Sequence, residues 1–224
     1  MLKAVIFDMD GVLIDAREWH YEALNRALEL FGYTIPLHEH LTTFDGLPTR
    51  TKLKMLTATR GLPEALHNFI NEMKQLYTME IIHTKCKPVF KQEYALARLR
   101  AEGYRLAVAS NSIRSTVALM MQKAGLEPYL DFQLSNEDVQ FSKPNPEIYL
   151  KAMEMLGLKP EECLILEDNE HGIAAARASG AHVMVVNDVP DVNYPAIKET
   201  IRKIQQVSDE YSDLERRRAA NSGR

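Results

Sequence analysis

Two aspartates, Asp8 and Asp10, stand two residues apart at the end of an apolar run from Leu2 to Phe7 that only Lys3 interrupts, and Gly11 follows at once. Side chains alternate along a strand, so residues at this spacing point the same way and both carboxylates face one cleft. Like charges a few ångströms apart repel, so such a pair takes up a proton or is neutralised by a cation. Magnesium suits the site, because it is a hard ion that prefers oxygen ligands and completes its shell with water and substrate phosphate. Gly11 lets the backbone turn where a Cβ would be in the way. The plain alternative is an acidic turn after an edge strand, since Asp and Gly are common turn residues.

Three more polar groups follow downstream. After Leu106-Ala107-Val108-Ala109 come Ser110, Asn111 and Ser112, and a hydroxyl with adjoining backbone amides at a strand end can hold a phosphoryl oxygen or cap a helix. Lys143 lies in Ser142-Lys143-Pro144-Asn145-Pro146. Pro144 keeps Lys143 extended and Asn145 with Pro146 opens a helix, so the lysine is presented from a fixed base. Glu167 and Asp168 follow Leu164-Ile165-Leu166, and two acids ending a buried strand are hard to explain as solvated surface.

The string Val5-Ile6-Phe7-Asp8-Met9-Asp10-Gly11-Val12-Leu13, with those three groups after it in that order, resembles the four motifs of the haloacid dehalogenase superfamily. The likeness is to its phosphatases and phosphomutases with a helical cap, and it covers roughly residues 1–190. It implies that Asp8 is a nucleophile forming an aspartyl phosphate, and that Asp10 is the general acid and then base. It further implies that Ser110, Asn111 and Lys143 hold the phosphate, and that Asp8, the Asp10 carbonyl and Asp168, with Glu167 beside them, hold Mg2+. Asn169 stands where the family often has serine. Arg50, in Gly46-Leu47-Pro48-Thr49-Arg50, resembles the phosphate-gripping cap arginine of β-phosphoglucomutase relatives. His20 falls where those mutases carry a histidine that works with the acid–base aspartate, although a histidine beside Trp19 could equally be packing.

Other features depart from the mutases. Ala16 stands where they tend to have threonine, Lys74 matches their second cap lysine only loosely, and Lys87-Pro88-Val89 replaces their Pro-Gly pair. The resemblance therefore implies a phosphatase for a small phosphorylated sugar or polyol. A sugar phosphomutase is the alternative, and a catalytically silent binding protein on the same fold is the third reading. Dehalogenase relatives lack the second carboxylate, which Asp10 supplies here. Lys52 and Lys54 read as solvated helix charges.

Positioning these groups needs a sheet. Apolar spacing predicts helix over 17–31, ended by Gly32, and helical patterning over 37–41, 50–60 and 63–85 with no strand among them. From Val89 on, helix and strand alternate: helix to 102, strand 105–110, helix 115–124, a short strand near 132–135, helix 146–156, strand 163–166, helix 172–179 and strand 183–186. That order predicts an α/β fold, a Rossmann-like parallel sheet with helices on both faces and an inserted all-helical cap domain. The core is expected over 1–15 and 88–207, the cap over 16–87, and a flexible tail over 208–224. Ligand is expected in the crevice between cap and sheet.

Composition narrows the classes. A 224-residue chain, 46% hydrophobic and 26% charged, reads as an ordinary globular protein. No apolar run approaches the ~18–20 residues that span a bilayer, and the first residues read as a core strand rather than a leader, so no membrane is expected and the cytoplasm is the default location. Cys86 and Cys163 are too few and scattered for a disulfide framework. A net charge of -4 argues against a nucleic-acid partner. The expected partner is a small phosphate ester, and the default assembly is a monomer.

Overall fold

The computed structural model describes residues 1–44 and 46–222, and the side chains of these except 208–209 and 211–222. Strand β1 (Ala4–Phe7) leads into the helices α1 (Arg17–Glu29), α2 (Leu37–Glu39), α3 (Thr49–Arg60) and α4 (His67–Lys85), a π turn at His40–Phe44 following α2. Then come α5 (Phe90–Ala101), β2 (Arg105–Ala109), α6 (Arg114–Lys123), β3 (Phe132–Leu134), α7 (Glu147–Leu156), β4 (Cys163–Glu167), α8 (Glu170–Ala178), β5 (His182–Val185) and α9 (Tyr194–Ser222). The predicted strands are present with ends shifted by a residue or two, and the expected strand-free insertion is helical throughout.

The five strands pair in the order β3-β2-β1-β4-β5, every pair parallel. β1 and β4 are buried at every position, as strands covered on both faces must be, and this explains their unbroken apolar sequences. Successive residues serve opposite faces. Val5 and Phe7 join Leu106, Val108, Leu164 and Leu166 beneath α5, α6 and α9. Ala4 and Ile6 join Ile165 and Ala109 beneath α7 and α8. Both faces being dry, a polar group on these strands finds room only at their ends.

Chain order places those ends. From β1 the chain builds outward through β2 and β3 and then returns to the other side of β1 for β4, so the crossovers diverge and leave a crevice at the carboxyl end. Phe7 is in register with both Val108 and Leu166, which brings Asp8, Ala109 and Glu167 to one level.

The cap has a separate apolar centre, in which Leu24 and Leu28 of α1 cluster with Phe44 of the π turn, Leu53 and Leu56 of α3, and Ile70 of α4. Ala16 before α1, and Ile82 and Cys86 at the far end of the cap, belong instead to the sheet's cluster. Both chain crossings are thus anchored in the core. Beyond β5, where no helix was expected, α9 buries Ile197 and Ile201 against the sheet's cluster. Of the tail expected over 208–224, every side chain but that of Glu210 lies outside the described residues, and the backbone continues α9 to Ser222.

Candidate active site

Asp8 leaves the end of β1 with 5% of its surface exposed, and its amide donates to Leu166 O at 3.0 Å. Lys143, itself buried, reaches in from the loop before α7. Its Nζ donates to Asp8 Oδ1 at 2.6 Å, to Glu167 Oε1 at 2.6 Å and to Ala109 O at 2.8 Å, which uses all three ammonium protons. Asn111 holds the base of that lysine, accepting from Lys143 N at 3.1 Å and donating to Lys143 O at 3.4 Å. Tyr149 on α7 donates its hydroxyl to Glu167 Oε1. The Lys143–Pro144 peptide is cis.

Three acids therefore crowd one ammonium. Ligand oxygens of Asp8, Glu167 and Asp168 all lie within 4.8 Å of one another. Burial pushes the Asp8 carboxyl well above the usual range, against the pull of Lys143, and Glu167, Asp168 and Asp10 add to the push. Burial opposes the charge on Lys143 too, but Asp8 and Glu167 outweigh it and hold the ammonium more firmly than usual. Two glycines make room for the acids. A Cβ on Gly11, whose φ is +86°, would lie 2.0 Å from Asp168 Oδ2, and one on Gly172 would lie 2.0 Å from Glu167 Oε1.

Asp10 lines the same cavity, as the sequence suggested, but takes other partners. β1 ends at Phe7, a bend at Met9 follows, and the turn over residues 11–13 comes after Asp10. Its Oδ2 accepts from Ser112 Oγ at 2.9 Å, and its Oδ1 lies 3.1 Å from His20 Nε2 on α1, close enough to pair but not aligned as a hydrogen bond. Behind His20, its Nδ1 is 3.3 Å from Lys74 Nζ of α4. Burial raises the Asp10 carboxyl, yet His20, the Ser112 hydroxyl and Lys74 outweigh it and bring the group below its ordinary value. Burial lowers His20, more than the attraction of Asp10 restores. Burial, with Lys52 next, lowers Lys74 to about 8.

These groups line one cavity of about 440 Å³ between sheet and cap, a size that takes a small metabolite. Its floor includes Asp8, Asp10, Ser110, Ser112, Lys143 and Asp168, and its cap wall includes His20, Arg50, Lys52 and Lys74.

Residues 5–186 match the family model described as haloacid dehalogenase-like hydrolase. The chain belongs to the haloacid dehalogenase-like hydrolases. It is 33% identical over 184 residues to a phosphorylated carbohydrates phosphatase of Thermotoga maritima, covering 80% of this chain and 82% of that one. It is 26% identical over 198 residues to a phosphoglycolate phosphatase of Aquifex aeolicus, covering 85% and 91% respectively. Among solved structures, β-phosphoglucomutase from Clostridium difficile shares the fold with a TM-score of 0.78 at 21% identity, over 91% of this chain and 98% of that one.

The haloacid dehalogenase-like fold thus brings the site residues expected from the sequence to one cavity, with different partners for some, except Glu167, which is buried beneath the floor against Lys143 and Tyr149. Asn111 lines the cavity, but its amide is spent on Lys143, and it is Ser112 that reaches Asp10. Ser110, buried, accepts from Ser112 N at 3.0 Å. Arg50 lines the cavity and is exposed. Lys52 is a correction: it was expected in solvent, yet 7% of it is exposed, because the face of α3 that carries it turns into the cavity, while Lys54 stays outside. Tyr149 and Arg17 were not anticipated. A tyrosine on an apolar helix face gives no sign of where its hydroxyl ends, and Arg17 lies outside the motifs.

The residues present fit a divalent ion. Oxygens of three acids meet there, Asp8 and Glu167 sharing the buried Lys143 ammonium and Asp168 lying on Arg17, in a cradle that a Cβ on Gly11 would fill, and hard oxygen ligands of this kind suit magnesium. The Asp10 carboxylate is not in that group, so any part it takes falls to its carbonyl.

Proposed function

We propose that this hydrolase is a magnesium-dependent phosphatase of small phosphorylated sugars or polyols that works through an aspartyl phosphate on Asp8. The observation that carries the reading is Lys143 Nζ at 2.6 Å from Asp8 Oδ1, beside the acidic cluster and facing a cavity whose opposite wall is cationic. Relatives named for phosphorylated carbohydrates and phosphoglycolate support the substrate class.

Asp8, Asp168 and the Asp10 carbonyl, with Glu167 nearby, would hold magnesium, which when bound supplies positive charge for phosphoryl oxygens and relieves the repulsion among the acids. The rest falls to the chain itself. Lys143 fixes Asp8 Oδ1, and the other carboxylate oxygen attacks phosphorus in line. As the Asp8–phosphorus bond forms, the bond to the leaving oxygen breaks and Asp10 gives that oxygen a proton. His20 and Ser112 keep the Asp10 carboxylate aimed and ionised at rest, and the negative charge of an arriving phosphate favours its protonation. In the second step Asp10 takes a proton from water, water oxygen bonds to phosphorus, and Asp8 is released.

One arrangement favours a phosphomutase instead. Lys74, His20 and Asp10 form a line from the cap to the acid–base carboxylate, and Arg50 stands on the same wall, as a second phosphate would require. A phosphorus NMR time course with magnesium over sugar and polyol phosphates decides, with and without a trace of hexose bisphosphate. Inorganic phosphate rising without the bisphosphate supports the phosphatase. Ester signals that interconvert only with it would replace that reading by the mutase, and an unchanged spectrum across the panel would count against both.

A further inference from the structure

Arg17 is the first residue of α1, next to the crossing at Ala16, and its guanidinium lies across the acidic cluster. Nε is 3.2 Å from Asp168 Oδ2, and Nη2 pairs with the same oxygen. On the other side Asn169 Nδ2 donates to Asp168 Oδ1 at 3.2 Å, so both oxygens of this acid are in use. The Asp168 side chain is 1% exposed, whereas that of Arg17 is 34% exposed, so the guanidinium reaches the buried acid from a partly solvated position. The pair fills the hollow left by Gly11, where a Cβ would meet both Asp168 Oδ2 and Arg17 Nε.

Charge makes the arrangement a choice between two cations. Counted as formal charges with every carboxyl ionised, Asp8, Glu167 and Asp168 contribute three negative charges and Lys143 one positive, leaving minus two, which Arg17 reduces to minus one. A divalent ion neutralises the minus two alone; with Arg17 still seated the cluster would carry a surplus positive charge at low dielectric. We propose that Arg17 is a positioning residue that competes with the divalent ion for Asp168, holding this carboxylate until the ion takes it and so setting the ion's affinity. The inference rests on the metal reading above. It differs in sign from the usual outer partner of a metal ligand, whose removal weakens binding.

The test is a titration of the full chain with Mn2+, free ion being counted by electron paramagnetic resonance, with Mg2+ as competitor and no substrate. Arg17→Gln, which keeps much of the arm without the charge, should bind Mn2+ about tenfold tighter than wild type, a gain of roughly 1.4 kcal/mol. Arg17→Lys, which keeps the charge but cannot lay two donors on one oxygen, should bind about threefold tighter. It also serves as the second variant should Arg17→Gln fail to give a native circular dichroism spectrum. Equal or weaker binding by the variants, beside clear binding by wild type, overturns the inference and leaves the metal reading standing. If neither wild type nor either variant takes up Mn2+, the metal reading falls and the inference falls with it.

Discussion

A buried lysine on a buried aspartate is costly to assemble, and removing one partner strands the other. Loss of one member of such a pair costs about 3–5 kcal/mol, so Lys143→Met should lower the unfolding free energy by that order in denaturant titrations. Wild-type-like stability would mean that Asp8 and Glu167 do not depend on it. On the cap side Lys74 gives a pH dependence with a defined sign. Its folded value of about 8 lies below its ordinary 10.5, so between these values the unfolded chain holds the proton more tightly, and the Lys74 contribution to stability rises with pH there. For an anionic substrate the consequence is opposite: the ammonium is present below about 8 and lost above it, so KM should climb as pH passes that value. Lys74→Met should flatten this rise in steady-state assays across pH, and a rise of the same size in the variant would assign it to another group. Asp8, Asp10, Lys143, Glu167 and Asp168 were legible because each is a charge at a place where a buried strand or a proline-framed loop leaves nowhere bland to put it. Arg17 and Lys52 were not, since a cation on a helix looks alike in sequence whether it faces water or a cavity, and only the packing of α1 and α3 against the sheet decides.

At the scale of elements, the strand ends hold the acids and the helices that follow must leave room for them. α8 starts directly over Glu167, with Asn169 accepting from Gly172 N at 3.0 Å as its cap. A methyl at Gly172 would enter the Glu167 carboxylate, so Gly172→Ala must push the helix or the acid aside. Overpacking of this kind costs about 1–3 kcal/mol, which at this chain length is a fall in melting temperature of roughly 2–12 °C. A calorimetric midpoint equal to wild type would show that α8 moves freely. Most elements were legible, because the change from unbroken apolar strands to three- and four-residue spacing is sharp. α9 was not anticipated although Ile197, Ile201 and Ile204 carry that same spacing.

In the whole molecule, a sheet with two dry faces and a cap with its own apolar centre meet across one polar cavity. The sheet's half supplies the reacting acids and the cap's half supplies His20, Arg50, Lys52 and Lys74. Inserted helices between the first strand and the rest of the sheet marked this division in the sequence, but which cap side chains look inward depends on how α1, α3 and α4 lean on one another, and no local pattern encodes that. The division sorts mutational effects. Asp8→Asn should lower kcat by roughly 10⁴-fold or more, whereas Arg50→Ala should act on KM for substrates with a second anionic group and leave their turnover largely intact.

The central claim is that Asp8 carries the phosphoryl group between the two steps. The direct measurement is acid quenching during turnover in magnesium, followed by mass spectrometry of the peptide that contains residues 4–17. A phosphate-sized increment on Asp8 that appears with substrate, decays when substrate is exhausted and is absent from Asp8→Asn is the predicted result. Rapid release of inorganic phosphate with no such increment at any quench time, in an enzyme whose Asp8→Asn variant still turns over, would contradict the account.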